Sequence, residues 1–134
     1  MRRFPVFSSL APVFLSLLIA GCGGTEDTRS RQWAYISTAI IQPNCATANC
    51  HSAIAERSGV VLDTITHGYL ALVCRHWVVP MQPASSGLLA LLSGSGTRRM
   101  PPDFALPDHD IKLIGAWIGD GAAYSGPDTS PCPP

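Results

Sequence analysis

Cys45, Cys50 and His51, in the run Cys45-Ala46-Thr47-Ala48-Asn49-Cys50-His51, carry the most specific chemistry in this 134-residue chain. Two thiols followed directly by an imidazole can fasten a haem. The thiols add to its two vinyl groups as thioethers, and the adjoining histidine is held under the iron as proximal ligand. The usual signature leaves two residues between the cysteines; here there are four, so the loop must bulge to bring both sulfurs to one porphyrin edge. A proximal His leaves one axial position open. Met100, in Arg99-Met100-Pro101-Pro102, lies 49 residues beyond His51 and offers a thioether sulfur for it. Such a ligand favours ferrous iron and raises the potential relative to two histidines. Pro101 and Pro102 stiffen the loop and remove two backbone donors. The alternatives are Met100 as adaptable packing, or a sixth ligand from Met81, His67, His76 or His109. Otherwise those three histidines read as surface or capping residues.

The five cysteines divide by role. Cys22 follows a basic start (Arg2, Arg3) and a mostly apolar run from Val6 to Ala20, too short and wrongly flanked for a membrane span. The run ends in Leu18-Ile19-Ala20-Gly21-Cys22, which looks like a bacterial lipobox, so residues 1–21 are expected to be a lipoprotein signal peptide and Cys22 the lipidated N-terminus. Two or more acyl chains on one residue hold a protein firmly at a bilayer. The alternative is an ordinary cleaved signal with a chance cysteine. Cys45 and Cys50 are assigned to haem, which leaves Cys74 and Cys132. Outside the cytoplasm these can persist as a disulfide; two free thiols, or a bond to another chain, are the other possibilities.

Removing the signal leaves seven basic and nine acidic residues, a net charge near −2. No basic patch is interleaved with aromatics, which argues against nucleic acid as a partner. Lys112 is the one lysine, so a lysine-rich docking face is also excluded. A domain of this size buries a modest fraction of its surface and benefits from a staple; a covalent haem would serve.

The segment 22–31 is small and polar and reads as a lipid-anchored flexible tether, with the globular domain spanning 32–124 and an irregular tail over 125–134. Trp33, Ile36, Ile40 and Ile41 recur at helical spacing, and Pro43 is expected to stop that helix before Cys45. A second helix is predicted over 67–75 with Thr66 as N-cap. A third runs through Leu88, Leu89, Leu91 and Leu92, capped by Ser85 or Ser86 and ended by Gly94 and Gly96. Pro107 opens the last helix, with Ile111, Ile114, Trp117 and Ile118 on one face and Gly119 and Gly121 closing it. With no β pattern, the expected class is all-α. Trp117 is expected to pack in the core, against the first helix and Trp33; Trp77 and Tyr69 are also read as core, with haem lining as the alternative. Arg98 and Arg99 are read as propionate partners or as solvated surface residues.

These elements, in order, resemble a family of bacterial c-type cytochrome domains. The resemblance rests on Ile40-Ile41-Gln42-Pro43-Asn44-Cys45 leading to Cys50-His51, then Gly59-Val60-Val61-Leu62-Asp63, Val78-Val79-Pro80, Ser86-Gly87-Leu88-Leu89, Arg99-Met100-Pro101-Pro102 and Ile114-Gly115-Ala116-Trp117-Ile118-Gly119-Asp120-Gly121-Ala122. It covers about Trp33 to Ala123. It implies a small cytochrome c-like helical fold around one covalent haem c, with His51 and Met100 as axial ligands. The chain departs where Met81-Gln82 stands in place of the family's usual Gly and acidic residue, which puts a second methionine near the haem region.

The expected function is one-electron transfer between redox protein partners, at the periplasmic or outer face of a bacterial membrane, with no bond to a substrate made or broken. Asp103, Asp108, Asp110 and Asp120 form no acid–base pair and no nucleophile stands by a base, so an enzyme in the strict sense is not expected. Two alternatives remain at this stage. One is a haem-based sensor or small-ligand binder with a weak sixth ligand. The other is a haem-free lipoprotein interaction domain in which Cys45 and Cys50 form a disulfide. A zinc site lacks a second pair of ligands at structural spacing.

Overall fold

The computed structural model describes residues 26–94, 98–129 and 131–132. The proposed signal peptide, Cys22 and the first part of the tether lie outside the described residues. Within them the chain is helical, with no strand.

Helix α1 covers 33–45. It is α-helical over Trp33–Ile36, widens to a π-helical turn over Ser37–Ile41, and is α-helical again over Gln42–Cys45. Trp33, Ile36, Ser37, Ile40 and Ile41 are buried, the i, i+3, i+4, i+7, i+8 stripe that one helix face requires. Pro43 does not stop this helix, contrary to expectation. The wide turn before it shifts the carbonyl ladder, so the ring meets no α-helical carbonyl four residues back. The helix therefore delivers Cys45 from its last turn.

Helix α2 spans Ile65–Leu72, earlier than the predicted 67–75. Thr64, extended at φ −133°, is the actual N-cap, and its hydroxyl accepts from the His67 amide at 3.0 Å. Thr66 instead pairs its hydroxyl with that of Tyr124, 3.1 Å away. Helix α3 spans Gly87–Leu92. Ser86 precedes it but does not cap it with its side chain: the buried hydroxyl accepts from Val79 N at 2.9 Å and donates to Gln82 O at 3.0 Å, tying down the turn before the helix. Helix α4 spans Asp108–Gly119, begins directly after Pro107 and ends before Gly121, whose φ of +106° suits glycine. Leu113 joins Ile114, Trp117 and Ile118 on its buried face, while Ile111 is half-buried.

The core joins the two ends of the domain. Trp33 of α1 stacks on Trp117 of α4 at 4.9 Å between centroids, and Tyr69 of α2 meets Trp33 edge-on at 5.9 Å. Each polar tip finds a carbonyl: Trp33 Nε1 on Ile65 O, Trp117 Nε1 on Ala123 O, and Tyr69 Oη on Ala122 O, at 2.8, 3.1 and 2.9 Å. This is how aromatic rings pack without stranding a buried donor. Gly68 lets α2 approach this cluster, because a Cβ there would lie 2.9 Å from the Trp33 ring. Tyr69 and Trp117 are thus core residues, whereas Trp77 is 43% exposed and lies over Gly87.

Both flanking segments are tied to the core. Arg29, expected in the flexible tether, pairs with Asp27 and Asp110 and donates to His109 O at the start of α4. In the tail, Ser125 Oγ accepts from Ala34 N at 2.9 Å, satisfying a free donor in the first turn of α1. Cys74, just past α2, is joined to Cys132 in a disulfide that closes a separation of 58 residues.

Candidate functional site

Cys45, Cys50 and His51 are brought together in one compact loop. Cys45 ends α1, and the chain then makes a tight turn in which Cys50 N donates to Thr47 O at 3.0 Å. His51 N returns to Cys45 O, also at 3.0 Å. With two residues between cysteines, a histidine amide would reach the first cysteine's carbonyl as an ordinary i→i−4 helical bond. Here the same bond spans six residues, and the two extra residues are taken up in the turn. The wider spacing is thus taken up in the exposed residues 47–49, and the His51 amide still bonds the Cys45 carbonyl.

The segment 57–62 clamps this loop from the other side. Arg57 N donates to Cys50 O at 3.1 Å and Leu62 N to His51 O at 2.8 Å. The His51 ring is oriented by Nδ1, which lies 3.3 Å from Val60 O. A carbonyl can only accept, so Nδ1 donates, and in the neutral tautomer this contact selects, the lone pair lies on Nε2. Among the described residues nothing bonds Nε2. A backbone carbonyl that fixes the tautomer of a ligating histidine is a common supporting contact at metal sites. Val60 itself is placed by Gly59, at φ +67°, and Arg75 Nη1 donates to Gly59 O at 2.7 Å.

Both thiols are free and half-buried. Burial pushes the Cys45 thiol up to about 11, with the neighbouring Cys50 adding to the shift. The raised pKa disfavours the thiolate at neutral pH, which argues against Cys45 as a redox nucleophile in the folded chain. The disulfide expected of a haem-free domain is absent here, while Cys74 and Cys132 are joined.

Met100 comes from a separate loop after α3. Its amide donates to Leu91 O at 3.0 Å. Met100 is 39% exposed and Phe104, four residues on, 46%, so Met100 is not core filler. Ile54, three residues beyond His51, is 93% exposed. Both loops thus leave large apolar side chains uncovered. Met81 is 75% exposed at φ +63°, a left-handed conformation that glycine adopts freely. Met81 occupies this conformation under strain.

Asp63 links His67 to the motif loop, accepting from Ala53 N at 3.2 Å. His67 pairs with Asp63 at 2.9 Å, and that bond holds the Asp63 carboxyl below its ordinary value. His109 lies 3.4 Å from Asp110, and His76 is an exposed turn residue. Arg98 is exposed, whereas Arg99 folds back on its own loop. The sequence reading assigned no role to Val60, Gly59 or Arg75. The one signal available was Gly59, since a glycine just before a ligand-supporting carbonyl marks a special backbone conformation. Among the described residues no three His, Cys, Asp or Glu side chains cluster as a metal site, and no helix is long and apolar enough to cross a membrane. Comparison with protein-family models, with curated proteins and with solved structures returns no match.

Proposed function

We propose that this protein is a c-type cytochrome that carries single electrons at a bacterial membrane. Cys45 and Cys50 would hold one haem c as thioethers, and His51, through Nε2, and Met100 would supply the ligands to its iron. When bound, the haem supplies one-electron cycling between ferrous and ferric iron. The chain supplies attachment, orientation and an apolar setting. The observation that carries this reading is the His51 ring, held through Nδ1 with Nε2 unpartnered among the described residues, in the same loop as two free thiols. The cytochrome c-like arrangement is supported by the meeting of first and last helices at Trp33 and Trp117, with both candidate ligand loops lying outside that contact.

Three residues in this proposal act by position. Val60 holds the imidazole in its ligating tautomer. Leu62 and Arg57 keep the motif loop closed through its carbonyls. Lipidation at Cys22 would place the domain at the periplasmic or outer face of a membrane, where a redox protein is the natural partner. The test is export in a host that attaches haem c, followed by a reduced-minus-oxidised spectrum with and without carbon monoxide. A sharp reduced spectrum that resists carbon monoxide supports the carrier. A spectrum that changes fully with carbon monoxide points to the sensor, and a colourless protein overturns haem binding.

A further inference from the structure

We propose that Arg99 is a positioning residue that fixes the loop presenting Met100. For its bearing on the iron, this rests on the reading of Met100 as ligand. Nε donates to Pro101 O at 3.3 Å and Nη2 to Pro102 O at 3.2 Å. One guanidinium thus spans two successive carbonyls, which its rigid fork can do and a lysine ammonium cannot match. The need for it follows from the sequence. Pro101 and Pro102 have no N–H, so this stretch cannot build its own turn from backbone donors. On the other side the loop is held by the hydrogen bond that the Met100 N–H donates to Leu91 O in the last turn of α3. Met100 is therefore gripped from before by a helix carbonyl and from after by its own neighbour's side chain.

Its loss should loosen Met100 without unfolding the domain, since the core contacts lie at Trp33, Tyr69 and Trp117. The experiment compares wild type, Arg99→Ala and Arg99→Lys as full-length protein exported from a haem-attaching host. Two quantities are read on each: hydrogen exchange at the Met100 amide, and the temperature at which the weak near-infrared band of thioether–ferric ligation is lost. In both variants the Met100 amide should exchange at least about tenfold faster while Ile114 and Trp117 amides stay protected. The band should fade at lower temperature in both, with the helical signal intact. If Arg99→Lys behaves as wild type, the charge matters and not the fork, and the proposal fails. Unchanged exchange and an unchanged band in both variants also overturn it. Should the wild type show no near-infrared band, Met100 ligation fails, and the exchange comparison alone decides whether Arg99 braces the loop.

Discussion

His51 and Val60 show how much of the site rests on single atoms. The carbonyl of Val60 sets which imidazole nitrogen is free, and His51→Ala should keep the thioethers while abolishing the low-spin spectrum. Met100→Ala should remove the near-infrared band, open the iron to carbon monoxide and lower the potential by on the order of a hundred millivolts. Met81→Ala should leave all three unchanged. Met81 offers an independent check of backbone strain: at φ +63°, Met81→Gly should raise stability by about 1 kcal/mol in a thermal or denaturant melt, because glycine tolerates the left-handed region. At this scale the thiols, the imidazole and the methionine stand out in sequence as candidates, since their chemistry resides in side chains, and the fold brings Cys45, Cys50 and His51 into one loop. The Val60 contact was not, because a carbonyl is common to every residue and only the fold aims it. The grip of Arg99 on its own loop was hidden for the same reason.

The helices were legible by their apolar spacing, but their ends were set by details that periodicity does not contain. A π-helical turn carries α1 past Pro43 to Cys45. Thr64, two residues before the expected cap, takes the His67 amide and starts α2 early. Packing between elements is tight enough to test: Gly68→Ala would set a Cβ 2.9 Å from the Trp33 ring, and should cost about 1–3 kcal/mol of stability in a thermal melt. The Asp27–Arg29 pair within the N-terminal segment has a pH signature. The hydrogen bond from Arg29 lowers the Asp27 carboxyl to about 2 from an ordinary 3.8. A depressed carboxyl favours the bound form above its ordinary value and loses that advantage as pH falls through the lowered one. The Arg29 Nε–H resonance should therefore stay in its paired position down to about pH 4 and shift as pH drops toward 2.

At the scale of the whole chain, the domain is held at its ends. The aromatic cluster joins α1, α2 and α4, and the Cys74–Cys132 bond holds the tail beneath α2. The pairing of these two cysteines was one of three possibilities in the sequence, because their separation says nothing of their distance; the fold places their Cα atoms 5.2 Å apart. From the length of chain it closes, the bond should contribute about 2–4 kcal/mol, and Cys74→Ser should lower stability by that amount while leaving the haem spectrum in place. The all-α class was legible from the lack of alternating patterns. The central claim, a haem held through Cys45 and Cys50, is tested most directly by denaturing the exported full-length protein and extracting it with acidified solvent. Thioethers should keep the colour on the polypeptide, its mass should rise by one haem, and neither Cys45 nor Cys50 should react with a thiol-alkylating reagent. Colour that leaves with the solvent, or two alkylated cysteines on a chain of unmodified mass, would contradict it.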